Sequence, residues 1–196
     1  MKFLVLAALL ALGPSAGTAA AQPAHADAPR TAADQCIQEA AVYHGVSAEL
    51  LRAILQVETR MRPTTVVKNR NGSIDVGISG INSIHFRELS RWNIAPSDLL
   101  DACIGTYVGA WHLARTLENR EYSWETVARY HSATPYFNRR YQIMIWNELL
   151  RAGVVQGKRL PVPPLDPAAS PKATKRSPST SDNATGLVFD LESQTR

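Results

Sequence analysis

The chain has 196 residues, 45% of them hydrophobic, and a formal net charge of +4. Residues 27–153 carry 14 Lys and Arg against 13 Asp and Glu, so there is no basic stripe and nucleic acid is excluded as the main partner. Five histidines and two widely separated cysteines make no metal-ligand spacing, and neither a metal nor another cofactor is expected.

The first 26 residues have one Lys, an apolar run and then small residues, with A-x-A-like sites ending at Ala21 or Ala26. This is the pattern of a cleavable secretory signal peptide, interrupted by Gly13 and Pro14 too early for a stable membrane span. The mature chain is therefore expected outside the cytoplasm. An oxidising compartment favours joining Cys36 to Cys103, and two free buried thiols are the alternative. A bridge closing so long a loop is worth roughly 4 kcal/mol in the chain-entropy picture.

Helix is expected from Asp34 to His44, ending at Gly45. A second helix is expected between Ser47, a good N-cap, and Pro63. On that helix Leu51, Ile54, Leu55, Val57 and Met61 share an apolar arc, and Glu58 falls inside it, about 80 degrees from Leu50. A carboxyl held against apolar surface resists ionisation and keeps a proton near neutral pH, as a general acid must. A core-rim acid paired with an arginine has the same pattern.

Asn71-Gly72 among β-branched residues signals a hairpin directly after that helix. Helical pattern resumes over 81–92, then from Asp101 to Asn119, then after Ser123, and last over 136–153. The fold class is mainly α with one small β-hairpin, in a single domain over residues 33–153. Residues 154–196, rich in Pro, Ser and Lys, are expected to be disordered, with "LVFDL" at 187–191 as a short apolar patch.

Four segments in series, "LLRAILQVETRMRP", "NRNGSIDVGISGINSIHFREL", "DACIGTYVGAWHLAR" and "VARYHSATP", resemble the lytic transglycosylase (SLT) domain. The likeness is greatest to the small specialised members that accompany conjugation, type IV and type III secretion machines. It implies a lysozyme-like helical fold with a small β element beside a glycan cleft. It also implies cleavage of the bond between N-acetylmuramic acid and N-acetylglucosamine in peptidoglycan, with formation of a 1,6-anhydro ring.

The family's single catalytic acid corresponds to Glu58, followed by Thr59, which keeps the hydroxyl of the family's Glu-Ser. The glycan-lining Gly-Leu-Met-Gln-Ile-Asn motif appears as Gly77-Ile78-Ser79-Gly80-Ile81-Asn82, so Ser79 and Gly80 replace Met and Gln. The Ala-Tyr-Asn motif appears as Arg129-Tyr130-His131, which implies that Tyr130 hydrogen-bonds the acid. The resemblance further supports the Cys36–Cys103 pairing. It implies a periplasmic monomer acting on peptidoglycan glycan strands, with the tail available to secretion or conjugation components.

The sequence also admits other readings. Asp75 could activate water in a conventional muramidase, although it also suits a turn. The Ser79-Gly80 departure suits a peptidoglycan-binding or assembly factor that does not cut. Tyr107, Trp111, Tyr136 and Phe137 could stack on sugars or simply pack in the core.

Overall fold

A computed structural model describes residues 31–166. The expected signal peptide and the 187–191 patch lie outside the described residues.

Helix α1 (Ala32–His44) opens on a capping box in which Thr31 accepts from Asp34 N and Asp34 accepts in return. It closes at Gly45, in the left-handed conformation that glycine adopts without steric cost. Helix α2 (Ala48–Thr59) is capped by Ser47, and its apolar face is buried at Leu50, Leu51, Ile54 and Leu55. Among the described residues no helix is long and apolar enough to cross a membrane.

Strands β1 (Val66–Lys68), β2 (Ile74–Val76) and β3 (Ile81–Asn82) form an antiparallel sheet in the order β1-β2-β3. Val67 faces Asp75 in the first pair, and Asp75 faces Asn82 in the second. The hairpin thus forms where Asn71-Gly72 predicts it, and a third strand adds to it. Residues 81–92 do not form one helix. Asn82 ends β3 and caps a 3-10 turn over Ser83–His85 by accepting from Ile84 N. Only α3 (Phe86–Leu89) is α-helical before a second 3-10 turn over Ser90–Trp92.

Helix α4 (Ala102–Leu117) starts at Asp101, whose carboxylate accepts from Cys103 N and Ile104 N. Helix α5 (Trp124–Ala128) starts at Ser123, and α6 (Pro135–Arg151) has its proline in the first turn, where the missing N–H costs nothing. Cys36 of α1 and Cys103 of α4 are bonded, with their Cα atoms 5.3 Å apart.

Three apolar clusters build the core. One joins α2 to α4, α5 and α6 through Ile54, Leu113, Trp124 and Ile145. Another joins α1, α2 and α4 and takes in Ile78. The third lies under the sheet, around Val76, Ile81, Leu89 and Leu99. Ile78 and Ile81 anchor the 77–82 segment to two different clusters, which fixes the residues between them.

The start of the tail is ordered, contrary to expectation. Residues 158–164 run back along α6 as a strap. Trp146 Nε1 donates to Lys158 O at 3.0 Å, and the Asn147 amide pairs with both Leu160 N and Leu160 O at 2.8 Å. Arg140 Nε donates to Pro163 O at 2.9 Å and the Tyr136 hydroxyl to Pro164 O at 2.8 Å. A proline-rich segment needs no partner for its own missing donors. Polar side chains of α6 take its free carbonyls, so low hydrophobicity does not prevent it from packing.

Candidate active site

Glu58 sits in the last turn of α2, partly buried where α2 meets the 77–82 segment and α6. Tyr141 of α6 donates its hydroxyl to Glu58 Oε1 at 2.6 Å. On the other oxygen, Gly80 passes close: a Cβ added there would lie 3.1 Å from Oε2. Gly80 also has φ +60°, which disfavours any other residue. With glycine at this position the backbone of the 77–82 segment approaches the carboxyl closely and puts no side chain against it.

Burial pushes the Glu58 carboxyl up to about 7 from an ordinary 4.5. The Tyr141 hydrogen bond acts the other way, and the negative charge of Asp75 adds to the rise. The acid thus keeps its proton up to about neutral pH, where about half of it is protonated, in a site where a nearby donor stabilises its carboxylate form.

The neighbouring residues are fixed by hydrogen bonds. Thr59 is buried, and its hydroxyl donates to Ile78 O at 2.7 Å, tying the end of α2 to the 77–82 segment. Ser79 is fully buried and donates to Gly105 O at 2.7 Å, so its side chain points into the fold. Ile81 is core. Asn82 donates to Asp75 Oδ1 at 2.6 Å and Asn69 donates to Asp75 Oδ2 at 2.9 Å. Both oxygens of Asp75 are therefore occupied by side-chain amides.

The sequence reading expects Tyr130 on the acid, and the structure places it differently. Tyr130 is buried, and its hydroxyl donates to Ser79 O at 2.9 Å. Tyr141, which the motifs did not single out, holds Glu58 instead. The two tyrosine rings lie parallel with centroids 6.5 Å apart, and burial pushes both hydroxyls well above the usual tyrosine range. His131 stacks on Tyr141 at 4.9 Å and 9°, and burial lowers its pKa, which favours the neutral ring. His112 packs on Tyr130 at 4.6 Å, its Nε2 lies 3.2 Å from Tyr130 O, and burial drops its pKa to about 4.

The four aromatic candidates have other partners. Tyr107 packs with Tyr43 and His44, and Trp111 lies between Trp92, His85 and Arg115. Tyr136 holds the strap, and Phe137 meets Tyr136 edge-on. Among the described residues no group of three His, Cys, Asp or Glu side chains is placed to hold a metal.

This arrangement can protonate a leaving group from one well-held carboxyl and then receive a proton back. Residues 35–142 match the model of the transglycosylase SLT domain. The chain belongs to the SLT transglycosylase family. Its helical body with a small three-stranded sheet is the lysozyme-like SLT fold. The SLT chain is 37% identical over 121 residues to "Invasion protein IagB" of Salmonella typhimurium, covering 59% of this chain and 76% of the relative. It is 34% identical over 101 residues to "X polypeptide" of Escherichia coli K12, covering 51% and 60%. It is 28% identical over 100 residues to "Protein IpgF" of Shigella flexneri, covering 50% and 66%. A lytic-transglycosylase-like function follows from the SLT family, and peptidoglycan is the class of substrate that it implies.

Proposed function

We propose that this protein is a peptidoglycan lytic transglycosylase in which Glu58 serves first as acid and then as base. The Glu58 carboxyl gives its proton to the glycosidic oxygen between N-acetylmuramic acid and N-acetylglucosamine, and that bond breaks. The N-acetyl group of the muramic acid stabilises the positive charge at the anomeric carbon. The muramic 6-hydroxyl then closes onto that carbon and returns its proton to Glu58. The product is a 1,6-anhydro end, no water is consumed, and the enzyme is restored.

The observation that carries this reading is the unequal state of the two nearby carboxylates. Among the described residues Glu58 has a hydrogen-bond partner on one oxygen only, and it is partly protonated near neutrality. Asp75 has both oxygens held by Asn69 and Asn82, so it is poorly placed to take a proton from water. That disfavours a hydrolytic muramidase, which needs a second working carboxylate. Tyr141 orients the acid through its hydrogen bond, and Tyr130 and Thr59 fix the 77–82 segment beside it. The setting proposed for this activity is local opening of the cell wall for a secretion or conjugation apparatus, and similarity to a protein called an invasion protein is in keeping with it. A periplasmic location of the mature protein belongs to the same proposal.

The test is digestion of purified sacculi by the mature protein with Glu58→Gln alongside. Anhydro-muramic ends are expected from the wild type and none from the variant. Equal release from the variant would remove Glu58 from its role.

A further inference from the structure

Strand β1 has a neighbour on one side only, because the sheet order is β1-β2-β3. Gly77 N donates to Thr65 O at 2.9 Å, Asn69 N donates to Ser73 O at 2.8 Å, and Val67 lies opposite Asp75 between these two bonds. Thr65, Val67 and Asn69 therefore turn their backbone groups to β2. Alternation in an antiparallel ladder then turns the N–H and C=O of Val66 and Lys68 to the open edge. The edge is also apolar, with Val66 57% exposed and Val67 47% exposed. Ile74 lies opposite Lys68, shares the face of Val66 and is exposed as well. An edge of this kind, with Lys68 as the one charge on the strand, is a template for another strand.

The occupant that fits this edge belongs to the same chain. Residues 187–191, "LVFDL", lie outside the described residues; valine and phenylalanine favour strands, and residues 187–196 contain neither proline nor glycine. In a strand Leu187, Phe189 and Leu191 share one face, which suits the exposed Val66 and Ile74. The charges are complementary. Residues 60–74 hold Arg60, Arg62, Lys68 and Arg70 and no acid, and none of the four has a carboxylate partner among the described residues. Residues 187–192 hold Asp190 and Glu192 and no base, whereas residues 167–186 carry Lys172, Lys175 and Arg176 against Asp182. The strap sets the starting point. Tyr136 at the start of α6 holds Pro164, and Tyr141, five residues on, meets Glu58 near the end of α2, from which β1 follows. Residues 167–186 bridge the distance to Leu187 and reach up to about 65 Å when extended, against a radius of gyration of about 14 Å for a domain of this size.

We propose that Leu187–Leu191 adds to the outer edge of β1 as a fourth strand of the sheet, with Val66 and Lys68 as its backbone partners. Main-chain hydrogen bonds give such an added strand its hold, and the tether raises its effective concentration at the edge to the order of millimolar. The pairing covers the apolar edge. It also braces the wall of the site, because Val67 stands opposite Asp75. It does not rest on the transglycosylase reading, since no residue of the proposed mechanism takes part in it.

The experiment is amide hydrogen exchange read by NMR on the nitrogen-15-labelled full mature chain. The comparison is a full-length variant carrying Val188→Pro with Phe189→Pro, which removes two donors from the segment in any register and leaves residues 31–166 untouched. Val66 and Lys68 amides are expected to exchange about tenfold more slowly in the wild type than in this variant, as one net hydrogen bond each would give. A second variant, Val66→Pro, takes a donor from the open edge and none from β2, a place where an edge strand tolerates proline. It is expected to make the Leu191 amide exchange as fast as in the tail variant. The tail variant decides alone if Val66→Pro does not fold. Equal exchange of Val66 and Lys68 in the wild type and the tail variant overturns the proposal. Protection that grows with protein concentration also overturns it, because a second copy would then occupy the edge.

Discussion

A carboxyl raised from 4.5 to about 7 differs in free energy between its two forms by on the order of 3 kcal/mol. Below pH 4.5 folded and unfolded chains both hold the proton. Between 4.5 and about 7 the unfolded chain ionises first, so stability falls as pH rises, and above 7 the full cost is present. Glu58→Gln imitates the protonated acid. It is therefore expected to match the wild type near pH 4.5 and to be more stable by about 1–3 kcal/mol at pH 8, read by melting curves across that range. A gap that stays constant with pH would contradict the assigned burial. In the proposed mechanism the same proton sets the rate. Activity should fall about tenfold per pH unit above 7, with no acid limb from a second carboxylate.

Tyr141 makes a sharper case at the same scale. Its hydrogen bond holds the Glu58 pKa down, so Tyr141→Phe should let it rise and move the alkaline limb of the pH–rate profile upward. A loss of rate of 10-fold or more is expected together with that shift. A slower enzyme with an unmoved limb would make Tyr141 a packing residue only. Glu58 was legible in the sequence because its angle on α2 is a property of neighbouring residues. Tyr141 was not, because 83 residues separate it from Glu58 and only the packing of α6 on α2 brings them together. Tyr130, favoured by its motif, is one ring away and anchors Ser79 instead.

At the scale of elements, the site is built by helix ends meeting a short turn-rich segment. Thr59 at the end of α2 and Ser79 in the turn each donate to a carbonyl of a different element. Close approach needs small residues at those crossings. A Cβ at Gly109 of α4 would lie 2.7 Å from Ser79 Cβ, and one at Gly105 2.8 Å from Leu99 O. Several caps were readable in the chain: Ser47, Gly45 and Ser123 all stand where helices begin or end. Residues 81–92 were misread because apolar spacing suggested a helix, while Asn82 spends its side chain on Asp75 and on the next turn. The strap was hidden for another reason. Composition reports how much apolar surface a segment can bury, and residues 158–164 are held mainly by backbone carbonyls on α6 side chains. A chain ending at Gly153 is accordingly expected to melt lower than one ending at Asp166, by on the order of 2 kcal/mol once chain entropy offsets the lost bonds. Identical melting curves would mean that the strap contributes nothing to the fold.

Over the whole molecule, two of the three clusters meet on α2, and the Cys36–Cys103 bridge holds α1 to α4 on the side that carries the second cluster. The acid therefore sits on the helix shared by two cores, which limits its motion, while the sheet and the turn after it leave one face open. The fold class was readable because helical periodicity and one hairpin signal suffice for it. The arrangement of side chains around Glu58 depends on contacts between distant elements, which no local pattern reports. The central claim is that a single carboxyl cuts the glycan without water. The most direct measurement is digestion of sacculi in water enriched in oxygen-18, with mass analysis of the released ends. The account predicts anhydro ends that carry no heavy oxygen and are one water lighter than reducing ends. Reducing ends that carry the heavy isotope would show hydrolysis and contradict it.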